Sequence, residues 1–190
     1  IIMQELERAD SGLRSTASVQ GSLVMFPIWK YGSEEQKKKF LPALAAGEYL
    51  GCFGLTEPNH GSNPNGMETT LKVKNGKLYL NGAKMWITNS TQADFFCLLA
   101  NTSDDKPHVN KSMIIVPSNA VGVSFSKKLN KMGMRSSDTA QIFFDNVRVP
   151  QSNRVGAEGM GFMMQMMQFQ EERLYGAANA IGGMEACIEK

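Results

Sequence analysis

The pattern that most limits how this chain can fold is the pair of runs Leu71-Lys72-Val73-Lys74 and Lys77-Leu78-Tyr79-Leu80 around Asn75-Gly76. Apolar and polar residues alternate in both, so each run has one face for a core and one for water. Asn-Gly readily takes the positive φ angles of a tight turn, and the unit is predicted as a β-hairpin. Phe95 to Ala100 is apolar without interruption and suits a central strand. Met113–Val116 and Gln141–Val149 are further strands, and Ser103-Asp104-Asp105-Lys106-Pro107 is a polar connection. Several short strands with no helix between them predict a central antiparallel β-barrel or sandwich.

Helical segments flank that β region, which makes the fold class α+β. Ile1–Ala9 carries charges on one side and apolar residues on the other. Leu13–Tyr31 is more buried, with Pro27 expected to kink or end it. Ser33-Glu34-Glu35-Gln36 reads as a capping box that starts a third helix, and Gly47 stops it. From Gly159 to Lys190 there is no proline, and helix formers recur at helical spacing. The expected organisation is helical over 1–49, β over 50–155 and helical again over 156–190.

Composition sets the outer limits. Of the 190 residues, 42% are hydrophobic and 20% charged, as in soluble globular proteins. A net charge of +2 gives no footprint for nucleic acid. No apolar run reaches the roughly 18 residues of a membrane span. Cys52, Cys97 and Cys187 form no CxxC pair and have no histidine at metal spacing, so reduced thiols in an intracellular protein and no metal site are expected. The methionines between Met160 and Met167 are expected mostly to fill a core. His60 is expected at a loop surface and His108 in solvent. The chain opens on Ile1, and a piece of a longer protein is the expectation.

The chemistry concentrates in "CFGLTEPNHGSNPNGMETT", Cys52–Thr70, and "NGAKMWITNS", Asn81–Ser90. Gly54, Gly61 and Ser62 leave backbone N–H groups able to approach a phosphate, and Thr56 and Ser62 add hydroxyls. The spacing is not GxGxxG, so a Rossmann site is not indicated. Trp86 gives a flat face for a ring system and Thr88 a directed hydroxyl. Alone, the glycine-rich segment reads better as an ordinary loop, and a tryptophan is more often core or interface than a cofactor platform.

Taken together, "LTEPNHGS" and "KMWITNS" resemble the acyl-CoA dehydrogenase family, and "GMRSSDTAQIFFDNVRVP" resembles that family's last β-domain strand. The stretch from Glu5 to Ser62 is similar in particular to glutaryl-CoA dehydrogenases. The resemblance implies the end of an N-terminal helical domain, a middle β domain and the start of a C-terminal helical bundle. It implies a flavoenzyme with FAD. Phe53, Leu55 and Thr56 would lie along the flavin, and Gly61 and Ser62 near the cofactor phosphates and the acyl-CoA. Trp86 would pack at the isoalloxazine edge with Ile87, and Thr88 would bond near N5. The implied reaction is α,β-dehydrogenation of an acyl-CoA thioester, with hydride to flavin N5 and electrons to an electron-transfer flavoprotein.

Glu172 matches the position of the base in the isovaleryl and long-chain branches, directly before Arg173. Glutaryl-CoA dehydrogenases have a small residue there. Arg14 and Ser18 match positions that contact the distal carboxylate in the glutaryl branch, and Gln170 and Arg173 would reach the CoA. Asn63 stands where the family has Asp. Glutaryl-CoA and a short or branched acyl-CoA therefore both remain as substrates. An acyl-CoA oxidase and a non-catalytic acyl-CoA- or lipid-binding homologue remain as alternatives. The resemblance also implies a homotetramer in the mitochondrial matrix or the bacterial cytoplasm.

Overall fold

Asp10 divides the first helical segment. Its backbone is extended and its carboxylate accepts the Leu13 N–H at 2.9 Å, so Ile2–Ala9 (α1) ends and Ser11–Ser18 (α2) begins. The computed structural model, which describes residues 1–189, runs α2 without a break through a π-helical stretch, Val19–Met25, into Phe26–Tyr31 (α3). Pro27 does not end this segment. It sits in the first turn of α3, after the wider π turns. Phe26 N–H bonds Gly21 O, and the next acceptor in that series is Ser22 O. Pro27 has no N–H to give it, and the buried Gln168 amide donates to it at 2.8 Å instead.

Glu34–Ala46 (α4) starts on the expected capping box. Gln36 N–H donates to Ser33 Oγ at 3.2 Å, and Ser33 N–H to Gln36 Oε1 at 3.0 Å. Gly47 closes the helix at φ +74°. Gln36 Nε2 also donates to the carbonyls of Ser152 and Arg154, at 2.8 and 3.0 Å. Ser33→Ala is expected to destabilise the protein by about 1 kcal/mol, measured by denaturant unfolding. A change near zero would mean that the Gln36 bonds to the β region hold the helix start without the cap.

The β region holds Gly51–Gly54 (β1), Thr70–Lys74 (β2), Lys77–Thr88 (β3), Phe95–Asn101 (β4), Lys111–Pro117 (β5), Val123–Phe125 (β6), Thr139–Val149 (β7) and Arg154–Val155 (β8). The predicted hairpin is β2–β3, with Asn75 and Gly76 at φ +52° and +70°. The expected antiparallel barrel is not formed. The sheet is open and mixed, in the order β6-β7-β3-β2-β4-β5-β8, with β1 parallel to β4. β2 and β4 meet only at the parallel pair Thr70–Asn101. The edge strands β6 and β8 are too short to continue the ladder.

The two halves of the sheet still share a core. Leu71, Leu80 and Ile142 on one side join Phe96, Leu98 and Ile114 on the other. Alternate residues of β4 and β5, Phe95, Cys97, Leu99 and Ile115, pack outward against Leu23, Val24, Ile28 and Leu44 of the helices. β4 is thus buried on both faces, which is why its sequence does not alternate.

Gly161–Ile188 (α5) follows and lies against α1, where Arg8 pairs with Glu185. Of the methionine cluster, Met164 joins the core, while Met160, Met163 and Met167 are exposed, contrary to the expectation of core filling. All three cysteines are free, with Cys52 and Cys97 buried and Cys187 exposed. Burial pushes the Cys97 thiol up to about 12. Among the described residues no helix is long and apolar enough to cross a membrane.

Candidate active site

A cleft of about 430 Å³ opens where α2 and the π-helical stretch, the exit of β1, the bulged part of β3 and α5 converge. The volume is that of a small-molecule site.

The β side is built first. β1 ends at Gly54, whose absent side chain matters: a Cβ there would lie 3.0 Å from Leu98 Cβ and 3.2 Å from Lys84 Cγ. The chain then turns out of the sheet through Leu55 and Thr56, which line the cleft after Phe53. β3 passes alongside, and its pairing with β7 slips between Lys84 and Ile87. Trp86 lies in that bulge at φ +61° with 61% of its surface exposed, and Ile87 and Thr88 follow it on the cleft wall.

Glu57 and Lys84 lie beneath this wall, and the motifs did not single them out. Lys84 Nζ, fully buried, donates to Glu57 Oε1 at 2.8 Å and to Leu55 O at 3.1 Å. Glu57 also accepts the N–H groups of Glu68 at 2.5 Å and Thr69 at 3.1 Å. Burial pushes the Lys84 ammonium down to about 8, against the pull of Glu57. Burial also raises the Glu57 carboxyl, but Lys84 and the surrounding donors outweigh it and hold the group below its ordinary value. One signal was available in the sequence: Leu78, Leu80 and Lys84 share the inward parity of β3, and an inward lysine needs a buried acid.

On the helical side Arg14 and Ser18, four residues apart, share a face and line the cleft with Val19 and Leu23. Arg14 Nε pairs with Glu7 Oε2 at 2.6 Å. The Glu7 carboxyl is held low, first by the Ser11 hydroxyl and then, against burial, by Arg14. The terminal nitrogens of Arg14 make no hydrogen bond among the described residues.

α5 supplies Phe169 and Glu172. Burial raises the Glu172 carboxyl above its ordinary value, and Arg173 offsets part of that rise. The Arg173 guanidinium lies 5.6 Å from the Phe169 ring centroid. Glu171 faces a different groove, beside Ile1, Ile2 and Leu174.

Ser62, Gln170 and Arg173 are exposed and do not line the cleft. His60 is half-buried rather than at the surface, with Nε2 3.4 Å from Glu68 Oε1. His108 is exposed, as expected, and its ring sits 5.4 Å from that of Phe162.

Residues 1–48 match the N-terminal domain of acyl-CoA dehydrogenase, and residues 52–147 match the acyl-CoA dehydrogenase middle domain. The chain belongs to the acyl-CoA dehydrogenase family. An acyl-CoA dehydrogenase of Bacillus subtilis (strain 168) is 40% identical over 189 residues, all of this chain and 50% of that protein. The structure of butyryl-CoA dehydrogenase from Megasphaera elsdenii superposes with a TM-score of 0.93 at 39% identity, over 97% of this chain and 48% of that one. A glutaryl-CoA dehydrogenase from Mycobacterium smegmatis, solved in complex with FADH2, has a TM-score of 0.87 at 44% identity, over 95% of this chain and 45% of that one. This acyl-CoA dehydrogenase-family chain spans about half the length of the curated relatives it matches. The resemblance read from "LTEPNHGS" and "KMWITNS" is thereby borne out.

Proposed function

We propose that the protein carrying this chain is an FAD-dependent acyl-CoA dehydrogenase that forms an α,β-double bond in a short acyl-CoA, glutaryl-CoA first among the candidates. The observation that carries the reading is a single cleft with a carboxylate on one side and an aromatic and hydroxyl wall on the other, Glu172 against Trp86 and Thr88.

The residues present fit a flavin. Trp86 offers an exposed flat face, and Thr56 and Thr88 offer hydroxyls on the same wall. Gly61 lines the cleft, and a Cβ placed on it would meet nothing within 4 Å, so the space beside its backbone is open. Phe53, Leu55 and Ile87 would form the apolar bed, and Ser62, beyond the cleft, would reach phosphate. When bound, the flavin supplies the acceptor for the β-hydrogen as hydride.

The remaining steps belong to the chain's own groups. Glu172 takes the α-proton, and the burial that raises its carboxyl also strengthens it as a base. Phe169 and Leu23 keep water from the reacting carbons. Arg14 and Ser18 hold the distal carboxylate of a dicarboxylic acyl group, while Gln170 and Arg173 contact the CoA outside the cleft. Electrons leave to an electron-transfer flavoprotein, and the assembly is a tetramer.

The test is anaerobic. The full-length protein, isolated with its flavin, is mixed in turn with glutaryl-CoA, butyryl-CoA and isovaleryl-CoA. Loss of visible flavin absorption with at least one of them is the expected result, with glutaryl-CoA fastest. A protein that carries no flavin, or whose flavin none of the three bleaches, would sink the proposal.

A further inference from the structure

Trp86 is a bulky aromatic residue at φ +61°. An L-residue of that size is strained there, and such a conformation persists only where its surroundings over-determine it. Two ties meet that need. Where β3 slips from β7, the Met85 N–H bonds instead to Thr56 O at 2.8 Å. One residue earlier the Lys84 ammonium reaches both Leu55 O and Glu57, and Glu57 in turn holds the backbone at Glu68 and Thr69. The exit of β1 and the bulge of β3 are therefore joined from underneath by Met85, Lys84 and Glu57, which do not themselves line the cleft.

A buried ion pair is an uneconomical way to fill a core, since apolar residues of equal volume are often neutral or more stable. What the pair supplies is direction. Leu55 lies past the last residue of β1, so its carbonyl has no ladder partner there, and the ammonium gives it one. We infer that the Lys84–Glu57 pair is a positioning device, which fixes the Thr56 side of the cleft against the strained Trp86–Thr88 wall. The inference deepens the proposed function and rests on that reading of the cleft. Lys84 and Glu57 touch neither substrate nor flavin in it.

The test uses the full-length protein with Lys84→Met and Glu57→Gln combined, because removing one partner alone strands a buried charge. Trp86 is followed by fluorine NMR after labelling with 5-fluorotryptophan, its resonance assigned by its absence from a Trp86→Phe variant. The double variant is expected to fold and to show a shifted or split Trp86 resonance, with and without flavin. Its kcat is expected to fall by about 100-fold, the scale of a misplaced site, while KM changes by less than about 3-fold. An unchanged Trp86 resonance, or a loss confined to KM, overturns the inference. Should the double variant not fold, Glu57→Asp alone decides on the same resonance, since it keeps the charge opposite Lys84 and shortens its reach to the ammonium. The resonance without flavin is independent of turnover. A parent protein that no acyl-CoA bleaches would therefore defeat the proposed function without touching this result.

Discussion

Glu172→Gln in the full-length protein is expected to slow substrate-driven bleaching of the flavin by about 1,000-fold, within the range of a lost general base. The flavin's visible spectrum should not change, because the substituted side chain stands on α5 and the wall proposed to hold the flavin is made by the exit of β1 and by β3. The burial that raises the Glu172 carboxyl also fixes two signs. A base acts when deprotonated, so the parent's rate should rise with pH through the folded pKa of Glu172 and be lost below it. A carboxyl raised on folding binds its proton more tightly in the folded chain. Its contribution to stability is present below the unfolded value and is lost as pH rises through the folded one. Once ionised, the half-buried Glu172 is therefore a burden on the fold. Above the folded pKa of Glu172 the amide should leave the unfolding midpoint unchanged or higher. A structural role for Glu172 requires the opposite, activity and stability falling together. A variant that bleaches within about 10-fold of the parent would place the base elsewhere.

The elements legible in the sequence are those decided by neighbours along the chain. The Asn75-Gly76 hairpin, the Ser33–Gln36 capping box and the Gly47 stop each rest on a few consecutive residues, and each is present. The open, mixed sheet was not legible because it depends on a parallel β1–β4 pairing between residues more than forty positions apart. A short four-residue β1 carries no alternation that would announce it. Pro27 misled for a similar reason: the bond it lacks is replaced by Gln168, from the far end of the chain. The cleft divides the same way. Motif residues on β1 and β3 came together with Arg14, Ser18 and Glu172. The supports under them, Glu57 with Lys84 and Glu7 with Arg14, pair charges from separate segments, and although the parity of β3 turns Lys84 inward, no run of neighbouring residues names its partner.

That last pairing shapes the second large effect. Arg14→Gln is expected to lower kcat/KM for glutaryl-CoA by about 100-fold, the worth of roughly 1.5–3 kcal/mol that hydrogen bonds to a charged group supply. Butyryl-CoA should stay within about 3-fold, since a methyl end gives a guanidinium nothing to bond. Glu7 takes only Nε of Arg14, at 2.6 Å, and so orients the side chain while leaving the terminal nitrogens for a planar carboxylate. The same pair also neutralises much of the arginine's charge, so an uncharged acyl end is not excluded from the parent cleft. Removing Arg14 leaves Glu7 with the Ser11 hydroxyl, and an ion pair this close to solvent is worth only about 0–1 kcal/mol to the fold. Specificity should therefore move far more than stability. If both substrates decline together, Arg14 acts by holding α1 to α2. The distal-carboxylate reading then fails, and isovaleryl-CoA, favoured by Glu172, becomes the substrate to measure.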